Sequence, residues 1–397
     1  MSEALQILSF QPVALRAADV GPFQGGVVEA VDFTDEDHQP CNLFMLLSGN
    51  GRGKTTLLES LVYLVDLLQP QRLPIAPTPR WLLDHRRARL QLDVRVSLAR
   101  GLTSYNLLLS IMAIGDGEDE LEFWDSEKLA RVGCTGWARF GYFGGHRAPV
   151  EPKPLYADDA AAGWLSALLR ALEDTTDAQP SGFEDPVALA PTVLFFTANR
   201  DIMPSRRDET RRLAMPDDWG WRLVRRVDQE GGEWFSSPDN LLVWMAWLAD
   251  GRLERAQALI NERVFKGRPK FLQGVRRSPP EAIVNNEGQE HRLDQLSSGE
   301  RAMVQLVLRL GAHMTRNTWL VVDEVDLHLH PRWEHRMMRI LKELAAAQPG
   351  LTILITAQSR ELLQAFAYQL SESSRGLRKG GHFIEVEQDI NSEDEEA

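Results

Sequence analysis

Two kinds of hydrophobic pattern alternate along the chain, and together they predict an α/β fold. Unbroken apolar runs of strand length occur at residues 43–47, 193–196, 318–322 and 351–355. Runs of this kind suit strands covered on both faces, as in a mostly parallel core sheet. Strict alternation marks residues 90–98, where Leu90, Leu92, Val94, Val96 and Leu98 share one side. With residues 105–114 and 120–124 it predicts a β-meander turning at Gly115-Asp-Gly117, a flanking antiparallel lobe. Short alternating segments over residues 6–33, broken at Gly21-Pro22 and Gly25-Gly26, predict strands leading into the first apolar run. Leu57, Leu58, Leu61, Val62, Leu64, Val65 and Leu68 are spaced for one helical face. Further helices are predicted at residues 157–172, about 208–227, 241–248, 253–264 and 301–313.

The chain divides on this reading into four parts. Residues 1–140 form the N-terminal part of the core with the meander, and 141–285 an inserted helical subdomain. Residues 286–370 form the C-terminal part of the core, and 371–397 a C-terminal segment whose acidic tail is expected to be disordered.

Between the apolar run ending at Leu47 and the helix starting near Lys54 lies Ser-Gly-Asn-Gly-Arg-Gly-Lys-Thr-Thr. Strand, glycine-rich turn and helix are the context of a phosphate-binding loop. Gly49, Gly51 and Gly53 allow positive φ and close approach to an anion, so that successive N–H groups point inward. The helix start adds its own free N–H groups and positive dipole end. Lys54 is placed to reach terminal phosphates, and Thr55 to offer its hydroxyl to Mg²⁺. One position departs from the usual pattern: Ser48 stands where glycine is expected.

A second set of candidates comes late in the chain. Leu293-Asp-Gln-Leu-Ser-Ser-Gly-Glu300 opens a helix, and Ser297, Ser298 and Gly299 sit where a helix tip offers hydroxyl and N–H donors to an anion. A capping box closed by Glu300 explains the same residues. The strand at 318–322 ends in Asp323 and Glu324. At the carboxyl edge of a parallel sheet, the first can hold hydrated Mg²⁺ and the second can polarise an attacking water. The strand at 351–355 ends in Thr356-Ala-Gln-Ser359, which would bring Gln358 near a γ-phosphate.

The order of phosphate loop, Leu-Ser-Ser-Gly-Glu, Val-Val-Asp-Glu and Thr-Ala-Gln-Ser resembles the ATP-binding-cassette (ABC) class of P-loop ATPases. The stretch Asp323-Glu-Val-Asp-Leu-His-Leu-His-Pro331 resembles its soluble branch, which includes the ATPase part of the overcoming-lysogenization-defect nucleases and RecF-type repair proteins. The resemblance covers roughly residues 5–65 and 290–365. It implies that Asn50, Gly51, Gly53, Lys54, Thr55 and Thr56 bind ATP and that Thr55 and Asp323 serve Mg²⁺. It also implies that Glu324 is the general base and that Ser297, Ser298 and Gly299 form a signature motif. In that class the signature of one subunit closes on nucleotide held by the other, so a head-to-tail homodimer, alone or within a higher assembly, is expected. Gln358 replaces the switch histidine, and an amide cannot carry a proton near neutral pH, so hydrolysis is expected to be slow. The loop sensing Mg²⁺ is placed at Gly144, His146 or Arg147, without the expected glutamine.

Composition narrows the setting. With 43% hydrophobic and 25% charged residues in 397, the chain is an ordinary globular one. Cys41 and Cys134 are too few for a disulfide framework or a four-thiolate metal site, so a reducing cytoplasm is expected. Neither a signal-peptide pattern nor an apolar run of membrane-spanning length is present, and no membrane partner is expected. The net charge of −13 neither supports nor rules out a local basic surface, such as the segment from Arg263 to Arg277. That segment reads either as a nucleic-acid contact or as a solvated loop. His328, His330 and His335 fit a loop running into a helix whose first residue is Pro331 better than they fit a zinc site. Trp219, Trp221, Trp234, Trp244 and Trp247 read as packing of the inserted subdomain.

The expected function is an ATP-dependent dimeric switch that senses nucleic acid or gates a separate effector such as a nuclease or toxin, as in phage defence. The chain ends soon after the last ATPase strand, without room for the nuclease domain of that branch, which is why a separate effector is expected. A RecF-like DNA repair ATPase is the alternative. A transporter energy subunit fits less well, because residues 54–297 hold more than a compact helical insert. Long coiled-coil arms are excluded by the lack of heptads.

Overall fold

The structure is a computed structural model that describes residues 4–49, 51–70, 87–115, 121–143, 151–175, 190–200, 202, 211–217, 219–228, 234–327, 329–368 and 376–384. The first part of the chain forms β1 (Gln6–Ala18), β2 (Glu29–Asp32), β3 (Leu43–Leu47), α1 (Lys54–Asp66), β4 (Arg89–Arg100) and β5 (Thr103–Ile114). There follow α2 (Ser126–Arg131), β6 (Gly136–Phe143), β7 (Lys153–Ala157), α3 (Asp159–Asp174), β8 (Pro191–Phe196) and β9 (Val224–Val227). Next come α4 (Pro238–Leu248), α5 (Arg252–Ile260), β10 (Lys270–Arg277), β11 (Pro280–Asn286) and β12 (Gln289–His291). The last part holds α6 (Ser298–His313), β13 (Asn317–Val322), α7 (Pro331–Ala347), β14 (Thr352–Ala357), α8 (Arg360–Ala367) and β15 (Lys379–Phe383).

The fold is α/β, as expected. The apolar runs assemble into a six-stranded sheet of order β15-β3-β14-β13-β8-β9, parallel throughout. A second sheet, β2-β1-β4-β5-β6-β7, is antiparallel except where β5 meets β6. A small antiparallel meander, β10-β11-β12, stands apart from both.

Alternate residues of the parallel strands serve two cores. Phe44, Leu46, Val193, Phe195, Trp319, Val321 and Leu354 pack in one cluster with α1 and the inward faces of β4 and β5. Met45, Leu194, Phe196, Leu320, Val322, Ile353 and Ile355 pack in the other with α4, α5, α6, α7 and α8. Helix α1 is therefore sandwiched between two sheets, and Ser60, Tyr63 and Asp66 are buried along with its leucines. The single apolar face expected for it is corrected to burial nearly all round, the consequence of a helix with a sheet on each side.

Several elements differ from expectation. The described part of residues 120–124 is not a strand; Gln91 instead accepts the N–H groups of Leu121 and Glu122 through its side-chain oxygen. The partner of β5 is β6, reached through α2. Among the described residues of 208–227 there is no helix, and β9 joins the parallel sheet beside β8. The span 141–285 thus supplies strands to both large sheets besides its helices. Most of the basic segment from Arg263 is strand β10 rather than loop. Residues 379–383 form β15 at the edge of the core sheet beside β3, whereas the acidic tail and Asp116-Gly117 lie outside the described residues. Trp219, Trp244 and Trp247 form a chain of ring contacts, with Trp247 largely exposed, whereas Trp221 packs in the core around α1 rather than within the inserted subdomain.

The two large sheets are joined by side chains of β13. Trp319 donates its indole N–H to the Phe10 carbonyl at 2.7 Å, and Asn317 donates its amide to the Ile7 carbonyl at 2.8 Å. Trp319 is fully buried, and its ring also meets Phe10. Trp319→Phe keeps that ring contact but leaves the Phe10 carbonyl without its donor, a loss of about 1–3 kcal/mol. Urea unfolding of the variant is expected to show a lower midpoint at unchanged slope; an unchanged midpoint would remove this bond from the joint between the sheets.

Candidate functional site

The carboxyl ends of β3, β13 and β14 converge with the start of α1. Gly51 and Gly53 hold φ of +73° and +95°. At Gly53 a Cβ would lie 2.5 Å from the Phe23 ring and 2.7 Å from Pro22, so only glycine fits between the loop and the Gly21-Pro22-Phe23 turn behind it. Gly53 caps α1, whose N-terminus opens into a cavity of about 390 Å³. Gly51, Gly53, Lys54, Thr55, Thr56, Glu324 and Gln358 line it, together with Pro22, Arg52 and Leu327.

Lys54 is 5% exposed, and its ammonium donates to the carbonyls of Ser48 at 2.9 Å and Gly49 at 3.0 Å, with the Ser48 hydroxyl at 3.4 Å. Serine in place of glycine thus gives the lysine an extra acceptor. Burial lowers the Lys54 pKa, and the carboxylates of Glu324, Asp323 and Asp326 oppose that shift.

Asp323 ties the elements together. One carboxylate oxygen accepts the Thr55 hydroxyl at 2.7 Å and the other the Thr356 hydroxyl at 2.6 Å. The Thr356 hydroxyl in turn accepts the Glu324 N–H at 2.7 Å. Glu324 has φ of +44°, a left-handed conformation that costs a glutamate about 1–3 kcal/mol and persists only under such anchoring. Its carboxylate accepts the Gln358 side-chain amide at 2.8 Å. Asp326 accepts the N–H groups of Gln358 and Ser359 at 2.9 and 2.7 Å, which fixes the start of α8.

Arg200, from the end of β8, lies beneath the acidic pair. Its guanidinium donates to the carbonyls of Thr197, Asp323 and Glu324 at 2.9, 2.6 and 2.9 Å. Burial brings its pKa down to about 10, and Asp323, Asp326 and Glu324 act against that fall, so it stays charged at neutral pH. Two hydroxyls, the Glu324 carboxylate, an ammonium and a helix N-terminus on one cavity, with the Asp323 carboxylate bonded to Thr55 behind them, make a site suited to a phosphate-bearing ligand with a hard divalent cation.

The structure does not bring every candidate there. Ser297, Ser298 and Gly299 are not among the lining residues. Ser297 caps α6 in a capping box with Glu300, which also receives Arg268 and Lys270. Asn50, Gly144, His146, Arg147 and His328 lie outside the described residues. His330 caps α7 ahead of Pro331, accepting the Arg332 N–H at its Nδ1. Thr356, Asp326, Arg200 and Pro22 had no assigned role. The first two sit in the quoted motifs, but the side-chain bonds that use them cross between strands.

Residues 248–364 match a family described as "AAA domain, putative AbiEii toxin, Type IV TA system". Among solved structures, the chain is similar to the SMC head domain from Thermotoga maritima, at 13% identity and a TM-score of 0.36, covering 90% of this chain and 92% of that one. It is also similar to an SMC head bound to the C-terminal winged-helix domain of ScpA, at 9% identity and a TM-score of 0.42, covering 89% and 91%. A third is the SMC head of Pyrococcus furiosus with an extended coiled coil, at 10% identity, a TM-score of 0.36 and coverage of 90% and 92%.

Thr356→Val keeps the volume and removes the hydroxyl that Asp323 and the Glu324 N–H share. The expected result is a loss of about 1–3 kcal/mol in stability and at least a tenfold fall in nucleotide turnover, with nucleotide binding retained. Thr356→Ser should stay near the parent. Equal turnover in the valine variant would make the hydroxyl a packing feature only.

Proposed function

We propose that this chain is a P-loop ATPase of ABC type and works as an ATP-dependent switch between two copies in head-to-tail arrangement, coupled to a separate effector. The observation that carries the reading is the convergence of Lys54, Thr55, Glu324 and Gln358 on one cavity, with Asp323 bonded to Thr55 behind them. In this reading the backbone around Asn50, Gly51 and Gly53 cradles the phosphates, and Lys54 exchanges its carbonyl acceptors for phosphate oxygens. Thr55 and Thr56 add hydroxyl and N–H groups at the start of α1.

The hydroxyl of Thr55 and the carboxylate of Asp323 would hold Mg²⁺ through hard oxygen donors, and the ion would supply charge neutralisation for the bound phosphates. Glu324 accepts a proton from the water that attacks the γ-phosphorus as the bond to the departing ADP oxygen breaks. Gln358 positions that base through the hydrogen bond its side-chain NH₂ donates to the carboxylate, and as a neutral amide it does not act as a proton-transfer group. The exposed Ser297 and Ser298 and the buried Gly299 stand at the tip of α6, away from the cavity of their own chain. That separation supports a role for the tip on nucleotide held by a second copy. Closure of two copies has an effect only through what they contact, and we assign that role to a nuclease or toxin subunit in phage defence. The match of residues 248–364 to a family described by a toxin–antitoxin system supports that setting.

Lys54→Ala is expected to abolish ATP binding, because among the described residues its ammonium is the only lysine charge lining the cavity; calorimetric titration at parent affinity would refute the phosphate-loop assignment. Glu324→Gln is expected to bind ATP normally, lose roughly 10²–10⁴-fold in turnover, and accumulate a two-copy species with ATP. Light scattering that shows one copy under all nucleotide conditions removes the dimeric switch. The same variant with ATP, used as bait in its native host, should retain a second protein; recovery of this chain alone removes the effector.

A further inference from the structure

A second cavity, about 690 Å³, opens between α7, the end of α8 and the turn before β10. Arg268, Arg332, Arg336, Arg339, Lys342 and His335 line it, and among the described residues the lining includes no carboxylate. In a chain of net charge −13, this concentration of guanidinium groups is a local reversal of sign. Arg332, Arg336 and Arg339 follow one another at intervals of four and three along one face of α7, a stripe about 10 Å long.

The cavity is built rather than incidental. Trp333 stands at its wall with the Arg268 guanidinium 4.1 Å from its ring centroid and that of Arg336 at 5.6 Å. Arg336 is held by the carbonyls of Arg263 and Lys266 at 3.2–3.3 Å. Lys342 caps the last turn of α8 through the carbonyls of Ala365 and Tyr368 at 2.6 and 2.5 Å. Tyr368 stands at the rim, 73% exposed.

The neighbouring carboxylates leave positive charge in excess. Glu300 is shared by Arg268 and Lys270. Glu343 pairs with Arg263 and, at 4.0 Å, with Arg339. Glu334 is buried and bonded to Ser359, and Glu361 interacts with His335 from the first turn of α8. Burial and then the repulsion of Arg268, Arg339 and Arg332 pull the Arg336 pKa down, an arrangement that an anion would relieve.

We propose that this cleft is an anion site separate from the phosphate loop, and that it takes a ligand carrying several phosphate groups in succession. One phosphate needs one bidentate guanidinium or a pair of cations; a stripe of three arginines flanked by Arg268 and Lys342 offers places for more. The phosphates belong either to a single-stranded nucleic acid or to a small polyphosphate, and both share the chemistry that the cleft presents. The site borders the tip of α6, because the Trp333 ring lies where a Cβ on Gly299 would meet it at 2.8 Å.

The test uses the full-length Lys54→Ala chain, so that the phosphate loop does not contribute, and measures binding of a fluorescent fifteen-residue oligothymidylate and of sodium tripolyphosphate at low and moderate salt. At least one is expected to bind with an affinity that falls steeply with salt. Arg332→Gln with Arg339→Gln, two exposed positions, should weaken that ligand at least tenfold while the melting curve stays that of its background. Stronger binding of the oligonucleotide assigns the cleft to a polynucleotide, and stronger binding of tripolyphosphate to a small phosphoanion. Failure of both to bind at low salt, or equal affinity in the double variant, overturns the proposal. Because it is read in a chain whose phosphate loop is disabled, either outcome is independent of whether the first cavity hydrolyses ATP.

Discussion

The carboxylate of Asp323 is the point on which the site's geometry depends. Its two oxygens are divided between a hydroxyl on α1 and a hydroxyl on β14, so one buried carboxylate fixes α1, its own strand and the next strand at a common level. A carboxylate 1% exposed is costly unless both oxygens are satisfied. Here the satisfaction comes from two hydroxyls, while Arg200 neutralises the region from below through backbone carbonyls rather than through the carboxylate itself. That arrangement keeps the Thr55 and Asp323 oxygens together without a direct guanidinium competitor.

The same logic explains the strained Glu324. Its N–H is taken by Thr356, its carbonyl by Arg200 and its side chain by Gln358, so backbone and side chain are both held. A left-handed glutamate has no reason to persist on local propensity alone. Because β13 runs between β8 and β14 in the core sheet, the groups that hold Glu324 come from the strands on either side. The parallel order therefore does more than bury apolar side chains: it sets the spacing at which threonine, arginine and glutamine reach a single turn.

Much of this was legible in the sequence because its causes are local. Strand, glycine turn and helix at 43–66, the apolar run ending in Asp323-Glu324, and the alternation over 90–98 each carry their own period and punctuation. What was not legible depends on which strand lies beside which. Arg200 looks like any residue after a short strand until β8 is placed beside β13, and Thr356 looks like a strand end until its hydroxyl meets Asp323. The helix expected near 208–227 gave way, over its last four residues, to β9, whose place at the edge of the parallel sheet is a tertiary fact. The basic run from Arg263 to Arg277 was read as one charged stretch, yet the fold pairs Arg263 with Glu343, Arg268 and Lys270 with Glu300, and Arg276 with Glu281 and Glu290. Conversely, the arginines of α7 drew no notice in the sequence, because a helix with a charged face is ordinary until a neighbouring helix and turn close around it.

Helix α7 lines the second cavity and touches the segment that carries Gln358 of the first. It begins at Pro331, eight residues after Asp323, and Glu334 in its first turn bonds Ser359, whose N–H is held by Asp326. One residue earlier, Trp333 packs on Gly299 at the tip of α6, so the start of α8 and the serine-glycine tip both rest on the first turn of one helix. Gly299 has to be glycine for that contact, since a Cβ would fall 2.8 Å from the indole. The first turn of α7 is thus packed against two elements at once, in an interior where neighbours leave little free space. The arginine stripe that lines the second cavity lies along that same helix.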